Sequence, residues 1–237
     1  MPNVLDLAFV GLFALAWPAY GYYVDWPAFQ RRLREAPGAA RLREYRTTVV
    51  WQWLIVAIGV ALWLRAGRPW SSLALQVPAG WRLWVPAGAL LLLGAGYASQ
   101  AVKVARHPRA RAHLRKVLAS LEAILPHTTS EFAWFLLTSV TAGICEELLF
   151  RGYFVWTLTP WLGWWGAAAL SAPAFGLLHA YQGRKGTIRT AAVGAVMTLV
   201  VAGTRSLLPA MALHVLIDIG AGTVAWLGLR ESDSASD

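Results

Sequence analysis

The stretch Thr141–Gly152, TAGICEELLFRG, decides how the rest of the chain is read. Two adjacent glutamates, Glu146 and Glu147, stand in an apolar run, with Arg151 four residues after the second. Carboxylates and guanidinium groups are expensive at membrane depth, and those kept there pair with one another and mark functional sites. The i,i+4 spacing puts Glu147 and Arg151 on one helix face, where each lowers the cost of burying the other. Glu146 is rotated about 100° from Glu147 on a 3.6-residue turn and faces a different partner.

The chain around this stretch reads as membrane-embedded. It has 237 residues, of which 57% are hydrophobic and 14% charged, against about 25% charged in a soluble domain. Mean hydropathy is +0.49, and several apolar runs approach the roughly 20 residues that cross a bilayer. The expected fold is all-α, a polytopic membrane helix bundle of about seven transmembrane helices that occupies 1–237 as a single integral membrane domain. The expected spans are 4–23, 47–64, 83–102, one from Phe132 through the opening stretch, 162–180, 188–204 and 207–228. Spans within 132–228 form the catalytic core. Pro18 is expected to kink or end the first span. The bulky end of that span, Tyr20–Tyr23, is a poor cleavage site, so it reads as retained rather than as a signal peptide. The tail Glu231–Asp237 is short and polar and is expected to be disordered.

The net charge of +9 does not indicate a nucleic-acid partner, because the basic residues cluster between apolar runs. Residues 31–46 hold six arginines, and 103–116 hold Lys103, Arg106, Arg109, Arg111, Arg115 and Lys116. Lys and Arg concentrate in cytoplasmic loops. Seven spans with the N-terminus outside and the C-terminus cytoplasmic put 16 of the 21 basic residues inside. Part of 109–125 has Leu114, Val117, Leu118 and Leu121 at helical spacing and reads as an amphipathic helix at the membrane surface. Many of the 14 tryptophans fall near span ends, as an interfacial belt requires.

Sorting the acidic residues isolates the candidates. Asp25, Glu35, Glu44, Glu122, Glu131, Glu231, Asp233 and Asp237 fall in loops, at edges or in the tail, and Asp6 is near enough to the N-terminus to reach the interface. Glu146, Glu147 and Asp218 have no such outlet. Of the histidines, His179 and His214 lie in spans. Phe175 and His179 are i,i+4, as are His214 and Asp218, so Asp218 can hold the His214 imidazole. A lone buried histidine is commonly a satisfied core residue, and a lone Glu–Arg pair is often helix glue. Six polar groups from position 146 onward, each costing several kcal/mol if unpaired in lipid, argue for a shared site instead.

Three chemistries use these groups. A carboxylate beside imidazoles activates water for hydrolysis; histidines with carboxylates bind a divalent metal; acidic and histidine chains relay protons in transporters. HExxH and GxSxG are absent, and Ser171 lacks a serine-protease context. The single cysteine, Cys145, excludes an internal disulfide and reads as a packing residue. A transporter would typically show internal repeats, and none is visible.

EELLFRG at 146–152, FGLLH at 175–179 and HVLID at 214–218 together resemble the signature motifs EExxxR, FxxxH and HxxxN/D of the CAAX-protease and bacteriocin-processing family, which includes the type II CAAX prenyl endopeptidases. The resemblance covers about 141–222. It implies an intramembrane endopeptidase acting on membrane-associated protein or peptide substrates within the lipid bilayer. Glu146 would activate the water and His179 would position it. His214 and Asp218 would stabilise the oxyanion or complete the polar site, while Glu147, Arg151 and Phe175 support it. The family is usually described as metal-dependent, which would make His179, His214, Asp218 and Glu146 ligands of a divalent ion, with zinc the expected metal; a metal-free, glutamate-activated water is the other mechanism. Asp218 stands where the prenyl endopeptidases have Asn. An ionised Asp accepts but does not donate hydrogen bonds, so it suits metal binding or orientation of His214 better than an oxyanion hole. The alternatives are a noncatalytic scaffold or immunity protein of the same fold and a proton-coupled transporter. For Glu146 and His179 to meet, the fourth helix must continue past Arg151 to about Trp156 and the fifth must run past His179.

Overall fold

The computed structural model describes residues 1–230; the expectation for the tail Glu231–Asp237 lies outside the described residues. Among the described residues the secondary structure is helical throughout, without strands. Seven helices follow in chain order: α1 Val4–Glu35, α2 Pro37–Arg65, α3 Trp81–Arg106, α4 Pro108–Leu118, α5 Thr129–Leu178, α6 Gly183–Thr204 and α7 Leu208–Leu229. All but α4 are long and apolar enough to cross a membrane, giving six candidate spans.

The difference from the expected seven spans lies in α5. Its 50 residues would measure about 75 Å if straight, more than twice a hydrocarbon core of about 30 Å. The helix breaks at Gly163, whose φ of 65° and ψ of 165° are open to glycine and strained for other residues. The arm 163–178 turns back on the arm 129–162, so the fourth and fifth expected spans lie on one broken helix, counted as a single candidate span. Ser171 on the returning arm donates a hydrogen bond to the Phe150 carbonyl, 2.8 Å, and Phe175 meets Phe150 edge-on. Ser171 thus has a packing role.

The first arm does continue past Arg151, reaching the break at Gly163. It does so through a π-helical stretch, Leu148–Phe154, directly after the two glutamates. Such wide turns interrupt the α-helical ladder and recur at functional sites. The returning arm ends earlier than expected: Leu178 is its last helical residue, and His179 caps it with φ −104° and ψ 20°.

Helix α1 is not ended by Pro18. It passes the proline by loosening into π turns at Leu12–Ala16 and Gly21–Asp25, which absorb the missing N–H and the ring. The basic stretch 31–46 is likewise helical rather than looped. Only Ala36 is non-helical, because the residue before Pro37 is pushed out of the helical region.

The first arm of α5 packs between α2 and α7, its second arm against α6, and α3 lies along α7. Helix α4 is the expected amphipathic segment, but most of its apolar face is covered by protein. Leu114 packs on Gly228 of α7, Leu118 and Leu121 join Leu125, Ala225 and Leu229, and only Val117 of the four is exposed.

Two acids placed at edges by sequence are buried. Glu131 caps α5 with Thr128, accepting from the Thr128 and His127 amides, and pairs with Arg41 Nε at 3.1 Å. Its capping bonds fold the carboxylate over the helix start and under α2. Asp6 is buried within the protein. It takes both guanidinium nitrogens of Arg68, at 2.7 and 2.6 Å, and accepts the Tyr153 hydroxyl. Arg68 is sandwiched by Trp63 and Trp156.

Candidate active site

The site forms where α2, both arms of α5, α6 and α7 converge. Helix α5 supplies Glu146 and Glu147 just before the π stretch, and adjacent positions send them to different partners. Glu147 is fully buried and its Oε1 accepts from Arg151 Nη1 at 3.1 Å and from His214 Nδ1 at 2.9 Å. Glu146 Oε1 accepts from Gln52 Nε2 of α2 at 2.7 Å. Its other oxygen, Oε2, is buried without a hydrogen-bond partner and lies 3.9 Å from His214 Nε2.

His214 is the junction of the cluster. With Nδ1 donating to Glu147, the ring presents Nε2 toward both Glu146 and Asp218. Asp218 Oδ2 is 3.6 Å from Nε2, outside hydrogen-bond range, and its side chain is 36% exposed, at the edge of the site. The i,i+4 spacing therefore does bring Asp218 near His214, but the carboxylate that holds the imidazole is Glu147. Its reach across from α5 is shorter because the helices touch there: Gly143, one turn before Glu147, stacks against Val215 and the Met211 carbonyl of α7.

Phe175 fills the centre. Its ring is 4.2 Å from the Arg151 guanidinium carbon, 5.1 Å from the His179 ring and 5.9 Å from the His214 ring. Arg151 lies over the Phe175 face in the space left by Gly194 of α6; a Cβ there would stand 2.7 Å from Arg151 Nη2. His179 Nδ1 is 3.1 Å from the Phe175 carbonyl. A carbonyl only accepts, so Nδ1 carries the hydrogen and Nε2 presents a lone pair. Among the described residues no hydrogen bond or ion pair joins His179 to Glu146. Beyond His179, Tyr181 stacks near the imidazole and on Trp26 of α1.

All seven residues singled out in the sequence thus lie in one region, with His179 and Asp218 at its margins. Gln52, Gly143 and Gly194 were missed. Gln52 carried a signal, as the one amide in the apolar run 47–64. The two glycines carried none, since their value is the space they leave for other helices.

Residues 128–220 match the family model of the type II CAAX prenyl endopeptidases, Rce1-like. No curated protein and no solved structure matches the chain. The Rce1-like segment contains Glu146, Glu147, Arg151, Phe175, His179, His214 and Asp218, the residues of all three motifs, and the family is one of proteases. Gln52 lies outside it.

The donor set does not suit the metal that the resemblance implies. Among the described residues no three His, Cys, Asp or Glu side chains gather as a metal site requires. Of the four expected ligands, only Glu146, His214 and Asp218 approach one another, His214 has one ring nitrogen committed to Glu147, and His179 turns its Nδ1 to backbone. As they stand these residues do not fit a bound ion.

Proposed function

We propose that the protein is an intramembrane endopeptidase that cleaves peptide bonds of membrane-associated substrates with a water activated by Glu146. The observation that carries this is the split in the Glu146 carboxylate: one oxygen is held by a neutral amide, and the other is buried, unpartnered and directed at an imidazole. A carboxylate so placed, within hydrogen-bond reach of a water that also meets His214 Nε2, meets the geometric requirement for a general base.

In this reading a water between Glu146 Oε2 and His214 Nε2 attacks the scissile carbonyl. Its proton moves to Glu146 as the new C–O bond forms, and the tetrahedral oxyanion develops beside the imidazole. Collapse breaks the C–N bond, and the proton held on Glu146 passes to the leaving nitrogen, which gives an amine and a carboxylic acid that keeps the water's second proton and then loses it to solvent. Glu147 fixes the tautomer and orientation of His214 through Nδ1, and Arg151 balances the Glu147 charge. His179 Nε2, with its free lone pair, accepts a hydrogen bond from the water or the substrate amide. Asp218 at the rim accepts hydrogen bonds from substrate N–H groups; an ionised carboxylate has no hydrogen to donate to an oxyanion. The whole chain acts as one membrane domain with the site in spans 132–228, the N-terminus outside and the C-terminus cytoplasmic.

The test is cleavage in proteoliposomes of two internally quenched peptides, one farnesylated and ending in a CAAX sequence, the other unprenylated. Wild type is expected to cleave at least one, and Glu146→Gln to lose about 100- to 10,000-fold, the range supplied by a general base. Equal cleavage by both proteins defeats the role of Glu146. Glu146-dependent uptake without a cleaved product would establish transport instead, and full binding of a partner without either activity would establish the scaffold. Elemental analysis of the same purified protein reads its metal content independently.

A further inference from the structure

Gln52 is the only side chain from outside the Rce1-like segment that hydrogen-bonds a motif carboxylate in the described residues. It stands on α2 among Trp51, Trp53 and a run of aliphatic residues, where an amide without a partner would be costly. Its Nε2 donates to Glu146 Oε1, 2.7 Å away, and this is the one bond the amide makes, since its own Oε1 is buried without a partner. The orientation of the amide follows from the partner, since a carboxylate accepts and only the NH2 end donates. The joint is registered by a second bond about one and a half turns away on α5, from Trp53 Nε1 to Thr141 Oγ1 at 3.3 Å.

From this placement we infer that Gln52 is the positioning residue for the catalytic Glu146, an inference that rests on the peptidase reading. The two glutamates are held by opposite means. Glu147 is held by a guanidinium and an imidazole, which offset its charge. Glu146 is held by a neutral donor, which fixes the direction of the carboxylate without supplying a counter-charge. Holding Oε1 leaves Oε2 as the oxygen that faces His214 Nε2. A Lys or Arg at position 52 would orient Glu146 equally well but would pair with it and suppress its action as a base.

The test uses Gln52→Met, which preserves length and apolar bulk and lacks the donor. On whichever quenched peptide wild type cleaves, kcat should fall about 10- to 100-fold, the loss that follows a misplacement of about 1 Å in a catalytic group, while KM stays within about twofold. In a Glu146→Leu background the substitution should no longer change the residual rate, because Gln52 acts through Glu146. A kcat within about threefold of wild type, a loss expressed mainly in KM, or the same factor in both backgrounds would overturn the inference. A second measurement needs no cleavage. Thermal unfolding of wild type, the two single variants and the double variant forms a cycle, in which the Tm loss from Gln52→Met should shrink by at least half when Glu146 is already absent. Independent Tm losses beside an active wild type refute the role of Gln52 alone. Coupled losses beside a wild type that cleaves neither peptide refute the peptidase reading, and the catalytic role of Gln52 with it.

Discussion

Gly143→Ala tests whether the closeness of α5 and α7 holds the site together. A Cβ at Gly143 would stand 2.4 Å from Val215 Cγ2, 2.9 Å from Val215 N and 3.2 Å from the Met211 carbonyl oxygen. The first clash can be relieved by turning the valine side chain. The other two are with backbone and can be relieved only by moving the helices apart. Ordinary contact begins near 3.5 Å, so the required separation is about half an ångström. His214 adjoins Val215, and Glu147 is one turn after Gly143 on the same face. Their 2.9 Å hydrogen bond would lengthen to about 3.4 Å, past the useful range for N–H···O. Overpacking of this kind destabilises by about 1–3 kcal/mol, against an intrinsic gain of up to about 1 kcal/mol for Ala over Gly in a helix. The expected result is a lower melting temperature and a fall in kcat/KM of about 10- to 100-fold, as for a small displacement of catalytic groups. Val215→Ala in the same chain should restore only part of the loss, since the backbone clashes remain. Gly96→Ala on α3, where a Cβ meets nothing within 4 Å, is the control and should melt no lower than wild type. Wild-type melting and turnover in Gly143→Ala would refute the account.

Two further outcomes follow from buried charge. Arg151→Met leaves Glu147 in the interior without its cation, and breaking a buried pair in this way should cost about 3–5 kcal/mol; the double variant Arg151→Met/Glu147→Gln should recover much of that stability but not activity, as measured by melting and by peptide cleavage. Asp6→Asn strips Arg68 and Tyr153 of their shared carboxylate; the member of this cluster on α5, Tyr153, lies about two helix turns beyond Glu146, so the change should lower the melting temperature by a comparable mechanism while kcat per folded molecule stays within about threefold of wild type. A selective loss of turnover without loss of stability would show that this pair belongs to the active site.

The tryptophan-rich apolar runs, the basic clusters and the three spaced motifs were legible because each is a local property of the chain. Hydropathy is summed over neighbours, and the i,i+4 pairs Glu147–Arg151 and His214–Asp218 need only a helix to become faces. The separate fates of Glu146 and Glu147 were legible for the same reason. The burial of Asp6 and Glu131 was hidden because their partners, Arg68 and Arg41, lie 62 and 90 positions away. So was the holder of His214: sequence spacing favours Asp218, but the gap between α5 and α7 is set by Gly143, and that brings Glu147 nearer.

The sequence by itself therefore determined a helical membrane protein, the region of its candidate site and the residues of its three motifs. Tertiary structure alone decided that α5 folds back at Gly163, that Gln52 of α2 grips Glu146, and that Phe175 lies among Arg151, His179 and His214. The physical reason is one of range. Burial and helical phase act between near neighbours, whereas the partner of a buried carboxylate is whichever donor the packing of distant helices carries to it.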